Sequence, residues 1–234
     1  YNVIPVVKQV DSAAGEFKAL SNYLYLSYHG NHHDIIPSQN HLCILGSGPY
    51  SIGSSVEFDW CTVNLARELR QRQQNVIIIN SNPETVSTDY DESERLYFEP
   101  LSFERVADIL DYEQCTGTIV SVGGQAANNL VTKLAALNYP LLGTSAENIN
   151  RAEDRQLFSQ LLHDCGIDQP AWINAANQAQ IDEFITQVNF PLLVRPSYVL
   201  SGSAMKVASS KDDLATYLAT ATRVSPNNSV VISE

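Results

Sequence analysis

The sequence predicts an α/β protein, with a parallel-sheet domain over residues 41–146 and an α+β subdomain over residues 147–234. Three observations predict it. Short apolar runs alternate with longer amphipathic stretches through the first part, the pattern of strands joined by crossover helices. Each apolar run there ends in small or polar residues: Gly46-Ser47-Gly48, Asn80-Ser81-Asn82, Gly123-Gly124-Gln125 and Gly143-Thr144-Ser145. After Ser145 the alternation stops and a mixed order of helices and strands begins.

Residues 1–40 are mixed. "AGEFKALSNYLYLSYHG" reads as helical and "NHHDIIPSQN" as a linker. "HLCILGSG" is then a strand running into glycines. "SSVEFDWCTVNLARELRQRQ" carries helical periodicity through Phe58, Cys61, Val63, Leu65 and Leu69. "NVIIINSNP" is a second buried strand. "SFERVADILDYEQ" is a helix with Ser102 as its N-cap. "GTIVSVGGQ" is a third strand, "AANNLVTKLAAL" a helix and "YPLLGTS" a fourth strand. "SAENINRAEDRQLFSQLLHDCG" is a helix pair with a capping signal at Ser145 and Glu147, and "IDQPAW" is a link. "DEFITQV", "PLLVRPS", "SAMKVASS", "DDLATYLATATRV" and "SVVISE" follow as helix, strand, strand, helix and strand.

Composition narrows the function classes. The chain has 234 residues, 44% hydrophobic and 17% charged, enough for a sizeable core. Its net charge of −12 argues against non-specific binding to nucleic acid or anionic membrane. A phosphate pocket is still open to it, because that needs only a few local donors. No apolar run reaches the roughly 20 residues of a membrane helix. "YNVIPVVKQV" shows no initiator Met and no basic leader, so the chain is expected to be part of a longer one. Cys43, Cys61, Cys115 and Cys165 are far apart, without metal-ligand spacing, and read as reduced, mostly buried thiols. His32-His33 reads as loop.

Several stretches carry chemistry. "LGSGPYSIG", with Gly46, Gly48 and Gly53, stands between a strand and a helix. It suits either a phosphate cradle or a structural turn. "NSNPETVSTDYDESERLYFEP" suits a small polar ligand, a subunit contact or a solvated acidic loop. "RAEDRQLF" sets Arg151 and Arg155 four apart, on one face of a helix, to pair with carboxylates or to fork onto phosphate. "FPLLVRPSYVLSGSAM" holds Arg195 inside an apolar strand, two residues before Ser197 and ahead of the small-residue loop at Gly202. A cation placed there needs a carboxylate or a phosphate. The run reads as a hairpin folding over nucleotide phosphates, or as an ordinary hairpin with an internal ion pair.

In order and near the expected spacing, "VVKQVDSAAGEF", "LGSGPYSIGS", "VEFDWC", "NPETVSTDYD", "VSVGGQ", "RAEDR" and "RPSYVLSGSAM" resemble the large subunit, or synthetase region, of carbamoyl phosphate synthase. The resemblance covers essentially the whole chain. "NPETVSTDYD" and "RPSYVLSG" are similar to that family's second, carboxy-terminal half, and "SYVLSG" and "SSVEFDWC" to its eukaryote-type members. The resemblance implies the end of an oligomerisation-type helical region over residues 1–40. It implies a Rossmann-like pre-ATP-grasp domain over 41–146, and the first α+β lobe of an ATP-grasp domain over 147–234.

By the same resemblance, this half phosphorylates carbamate with ATP and Mg2+, giving carbamoyl phosphate, in pyrimidine or arginine synthesis or the urea cycle. The positions matching the nucleotide site are Arg155, Arg195, Ser197 and Gly202, with Arg195 as the catalytic residue that neutralises phosphate charge. The metal ligands are expected past Glu234, so the chain is expected to be inactive alone. Expected partners are an amidotransferase subunit or domain and further copies in an oligomer, in the cytoplasm or alternatively the mitochondrion. "GGQAANN" departs from the family, which has a proline near that glutamine, and Ser201 replaces a common glycine. Two rivals stand beside this reading. A nicotinamide-dependent oxidoreductase needs GxGxxG and an acidic residue ending the second strand, and "GSGPYSIG" and "INSNP" offer neither. A non-catalytic module derived from the same family would differ in sequence past Glu234.

Overall fold

The computed structural model describes residues 3–51, 55–175, 177–196, 205–224 and 230–234. They form two compact units, Tyr1–Asn150 and Arg151–Glu234.

The first unit contains β1 (Val6–Gln9), β2 (Tyr23–Ser27), β3 (His41–Leu45), α1 (Val56–Gln71) and β4 (Asn75–Ile79). A 3-10 turn, Val86–Thr88, precedes β5 (Arg95–Tyr97) and α2 (Phe103–Glu113). Then come β6 (Gly117–Ile119), the short helices α3 (Gly124–Asn128) and α4 (Val131–Ala136), β7 (Leu141–Leu142) and α5 (Ala146–Glu153). The strands form one sheet in the order β1-β2-β5-β4-β3-β6-β7. All neighbours run parallel except β1, which pairs antiparallel with β2.

The centre of the sheet follows from sequence. Val76 to Ile79 is an unbroken apolar run with every residue fully buried, as a parallel strand covered on both faces requires. Val106, Ile109 and Leu110 of α2, Leu134 of α4 and Leu130 just before it pack on one face with Cys43, Leu45, Ile77 and Ile79. Ala66, with Leu65 and Leu69, brings α1 onto the other face against Ile44, Val76, Ile78 and Leu96. Ser102 caps α2 through its Oγ, which accepts from the Arg105 N–H at 3.3 Å. "AANNLVTKLAAL" is expected as one helix, but the chain bends at Asn129 and Leu130 and makes two.

The helical reading of "AGEFKALSNYLYLSYHG" fails: its second half is β2. "YLYLS" alternates, with Leu24 and Leu26 buried and Tyr25 exposed, the period of a strand. Buried carboxylates tie the segment to the sheet. Glu99 accepts from the Leu26 N–H at 2.5 Å, and Glu113 from the Ser38 N–H at 2.9 Å. Of the four thiols, Cys43 is buried, Cys61 and Cys115 are half-buried and Cys165 is exposed, so burial holds for fewer than expected.

The second unit contains α6 (Arg155–Asp164), β8 (Trp172–Ala175), α7 (Gln178–Phe184), β9 (Leu192–Pro196), β10 (Lys206–Ala208), α8 (Lys211–Val224) and β11 (Val230–Ser233). Its sheet is antiparallel throughout, in the order β10-β9-β11-β8. Leu192, Val194, Val230 and Ile232 meet Ile181, Phe184, Leu214 and Leu218 of α7 and α8 on one face. The expected helix, strand, strand, helix and strand are present, and β8 adds a strand that begins in the expected link. Among the described residues, no helix of either unit is long and apolar enough to cross a membrane.

Candidate functional site

The parallel sheet presents its carboxyl ends in Gly46 to Gly48, Asn80 to Asn82 and Gly123 to Gly124. A ligand crevice forms outside such ends in open α/β sheets. The glycines answer to close backbone approach. An ideal Cβ on Gly123 would lie 2.3 Å from the Gly46 carbonyl oxygen, and one on Gly46 would lie 2.7 Å from Asn80 Cγ. Asn80 is fully buried and organises the rim. Its Oδ1 accepts from the Gly48 N–H at 3.0 Å, and its Nδ2 donates to Ser87 Oγ at 3.0 Å. Asp59 of α1 accepts from the Ser87 N–H at 3.2 Å. Thr88 donates to the carbonyls of Asn82 and Thr85.

The 80–91 segment is therefore not simply a solvated acidic loop. Asn80, Asn82, Thr85, Ser87 and Thr88 are buried, while Glu84, Asp89 and Asp91 face out. Two buried polar atoms at this end have no partner, Ser47 Oγ and Asp59 Oδ1. Sequence reasoning placed Ser47 at a strand end but missed Asp59. Asp59 was hidden because helical periodicity counts it merely as polar. At the start of α1 the Ser55 hydroxyl donates to Glu57 at 2.7 Å, and that bond holds the exposed Glu57 carboxyl below the usual range. Gly53 of the expected phosphate cradle lies outside the described residues.

In the second unit, strand alternation decides where Arg195 goes. Leu192 and Val194 face α7 and α8, so Leu193 and Arg195 face the other side of the sheet. Val231 of β11 is the cross-strand partner of Arg195. There Arg195 lines a cleft of about 240 Å³ with Phe158, Ser159 and Leu162 of α6, Trp172 of β8 and Ser233 of β11. Its Nε is buried and without a hydrogen-bond partner. Trp172 was not anticipated. Its Nε1 donates to Ser159 Oγ at 2.6 Å, and Ser159 Oγ donates to Gln169 at 2.6 Å, which docks α6 on β8.

Arg151 and Arg155 do not share a helix face, contrary to the four-residue spacing. Asp154 breaks the helix: α5 ends at Glu153, and Asp154 Oδ1 accepts from the Leu157 N–H at 2.9 Å to start α6. Arg155 is thus the first residue of α6, one turn ahead of the Phe158 and Ser159 that wall the Arg195 cleft. Its side chain, and all of Ser197 and Gly202, lie outside the described residues. β9 and β10 pair antiparallel as the expected hairpin arms, with Leu193 opposite Val207. Among the described residues, no three His, Cys, Asp or Glu side chains group to hold a metal ion.

Comparison with known proteins follows these two units. The carbamoyl phosphate synthase preATP-grasp domain matches residues 38–151, and the carbamoyl-phosphate synthase L chain ATP binding domain matches residues 154–234. A multifunctional protein of Emericella nidulans is 50% identical over 232 residues, covering 99% of this chain and 10% of that protein. The arginine-specific carbamoyl phosphate synthase large chain of Cutaneotrichosporon cutaneum is 51% identical over 234 residues, all of this chain and 20% of its own. The mitochondrial carbamoyl-phosphate synthase [ammonia] of Aquarana catesbeiana is 50% identical over 235 residues, covering 100% of this chain and 16% of that protein. The chain therefore spans between 10% and 20% of the length of these relatives. Among solved structures, the biotin carboxylase domain of the Hydrogenobacter thermophilus 2-oxoglutarate carboxylase, with MgADP and bicarbonate, superposes with a TM-score of 0.64 at 11% identity. It covers 83% of this chain and 44% of that one. The ATP complex of Bacillus anthracis D-alanine–D-alanine ligase gives 0.56 at 19% identity, over 84% of this chain and 57% of that one. At these identities the likeness is one of fold.

Proposed function

The chain belongs to the carbamoyl phosphate synthase family, and from that membership we propose that it is part of the carboxy-terminal half, which phosphorylates carbamate with ATP. The observation that carries the reading is Arg195. A guanidinium with a buried, unpartnered Nε, on the face of the sheet away from α7 and α8 and beside a cleft, lacks the acceptor that such a donor requires. Phosphate oxygens are acceptors of the right charge and geometry. Transfer of a phosphoryl group from ATP to carbamate spreads negative charge over the equatorial oxygens, so a fixed cation lowers the barrier by neutralising it.

Arg195 is the residue proposed to act on that charge. Its position is fixed by β9, held between β10 and β11, so little reorganisation accompanies the reaction. Arg155 is proposed to contact the nucleotide from the first turn of α6. Ser197 and the small-residue loop at Gly202 are proposed to approach the phosphates by backbone. When bound, Mg2+ would supply charge neutralisation for the phosphates, on ligands proposed to lie beyond these residues. The proposed whole enzyme includes an amidotransferase subunit or domain and forms an oligomer. Its proposed compartment is the cytoplasm, with the mitochondrion as the alternative that five relatives' names offer.

The test uses a chain extended through the rest of the grasp domain. It is assayed for ATP formation from ADP and carbamoyl phosphate with Mg2+, beside Arg195→Ala. ATP from the parent and a loss of about 10²-fold or more in the variant are expected. Activity unchanged by Arg195→Ala removes the role of that residue. Bicarbonate-dependent ATP hydrolysis without ATP synthesis assigns the chain to the first half instead. A folded extended chain with neither activity is the non-catalytic module. The 234-residue chain alone is expected to make no ATP.

A further inference from the structure

Strand alternation puts Trp172 on the same face of the second unit's sheet as Arg195. Trp172 is the cross-strand partner of Ser233, and Ser233 that of Leu193, so these residues share the Arg195 face. Ile173, Val194 and Ile232 turn instead to the core with α7 and α8. On the Arg195 face, Phe158, Ser159 and Leu162 of α6 wall the cleft together with Trp172. Among the described residues of α6 none is buried, and Leu157 and Phe158 are each 42% exposed. Within this unit, then, the helix is not seated by a buried apolar anchor of the kind that fixes α7 and α8.

Hydrogen bonds seat it, and they converge on Ser159. Trp172 Nε1 donates to Ser159 Oγ at 2.6 Å, and Ser159 Oγ donates to Gln169 Oε1 at 2.6 Å. Gln169 Nε2 donates to the Ser159 carbonyl at 3.0 Å. The hydroxyl accepts once and donates once, which fixes its rotor. Gln169 and Trp172 belong to β8 and the run leading into it, and β8 pairs with β11, which pairs with β9. Ser159 therefore sets the register of α6 on the strands that carry Arg195. Position 155 opens the same helix, four residues before Ser159 and on the same face. A slip of α6 by one residue would shift position 155 by about 1.5 Å and turn it by about 100°.

We propose that Trp172 is a positioning residue for the nucleotide: its indole N–H, acting through Ser159, holds α6 in the register that presents Arg155 at the Arg195 cleft. The inference rests on the proposed contact of Arg155 with the nucleotide, and adds to it the need for a hydrogen-bond donor at position 172. Arg155 would serve the bound nucleotide before and during transfer alike, so its misplacement raises KM for the nucleotide and leaves kcat in place.

The test uses the full natural polypeptide and follows ATP formation from ADP and carbamoyl phosphate with Mg2+. Trp172→Phe removes the N–H and keeps an aromatic wall, whereas Ser159→Ala removes the hydroxyl and keeps Trp172. Each is expected to raise KM for ADP about fivefold to tenfold, the worth of one net hydrogen bond, with kcat within about twofold of the parent. The two together are expected to do no more than either alone, because both break one bond. In an Arg155→Ala background, Trp172→Phe is expected to change KM by less than about twofold. A merely structural tie would act equally with and without Arg155. Unchanged KM in either folded single variant, a loss confined to kcat, or a full effect on top of Arg155→Ala overturns the inference and leaves the Arg155 contact standing. So does a defect that disappears when the assay is cooled well below the variants' melting temperatures. If the parent makes no ATP, or Arg155→Ala leaves KM for ADP unchanged, the Arg155 contact falls and the inference falls with it.

Discussion

Glu113 offers a sharp test of what holds the 35–40 segment to the first unit. Its side chain is fully buried at the end of α2. One carboxylate oxygen accepts from the Tyr97 hydroxyl. The other accepts from Arg95 Nη1 at 2.5 Å and from the Ser38 N–H at 2.9 Å. The Tyr97 hydroxyl is pushed far above the usual tyrosine range, by burial first and by the Glu113 charge second, so it remains a donor. Glu113→Leu keeps the volume and strands all three donors. An unpaired buried donor costs about 1–3 kcal/mol, and breaking a buried ion pair from one side costs about 3–5 kcal/mol. These overlap, and Arg95 is 21% exposed and so partly solvated, which sets the expected loss near 4 kcal/mol. Glu113→Gln differs. Its oxygen can serve Arg95 and Ser38 while its amide donates to the Tyr97 oxygen, so only charge is lost, at about 1–2 kcal/mol. Urea unfolding followed by circular dichroism, with the slope unchanged, measures both. The reasoning is refuted if Glu113→Leu stays within about 1 kcal/mol of the parent, or if the glutamine variant costs as much as the leucine one.

Gly123→Ala is expected to lower stability by about 2–3 kcal/mol, because the new methyl meets the carbonyl oxygens of Gly46 and Leu45 at 2.3 and 2.5 Å, and backbone cannot swing aside. A thermal melt unchanged within error would mean that the β3 and β6 ends separate freely. His41 is held below its ordinary pKa by burial and then by Arg95, against the opposing pull of Glu113 and Glu94. With a lowered folded pKa, the unfolded chain binds the extra proton first as pH falls below 6.5, so stability declines from there down to the folded pKa. Unfolding measured at about pH 7 and about pH 5.5 is expected to show a smaller pH difference in His41→Gln than in the parent. An equal difference would place the sensitivity elsewhere.

The elements read correctly from sequence were those whose signal is local. "NVIII" declares a doubly covered strand by composition, and Ser102 declares its helix by capping. The strands that were missed take their signal from neighbours. β5 is three residues of "RLY", and it is a strand because β2 and β4 flank it in register. β8, "WINA", has one buried residue and exists through its pairing with β11. The Arg151–Arg155 spacing misled because helical periodicity assumes an unbroken helix, and one capping aspartate was enough to divide it.

Arg195 shows how strand alternation changes the meaning of a cation in an apolar run. An arginine within "FPLLV" suggests a cation driven into a core, where only an ion pair or a ligand could keep it. The strand instead alternates: Leu192 and Val194 supply the core, and Arg195 stands half-buried on the other face. Its cost lies less in burial than in the one nitrogen, Nε, that the surrounding side chains desolvate without pairing. A structural arginine would have its carboxylate within this sheet or the helix above it. The residues beside it are Phe158, Leu162, Pro170 and Trp172, with Ser159, Gln169 and Ser233 as the polar members, and none of them is an anion. Among the described residues, the lining of the cleft offers Nε no counter-charge, and that is what supports the proposed role toward an anion brought from outside.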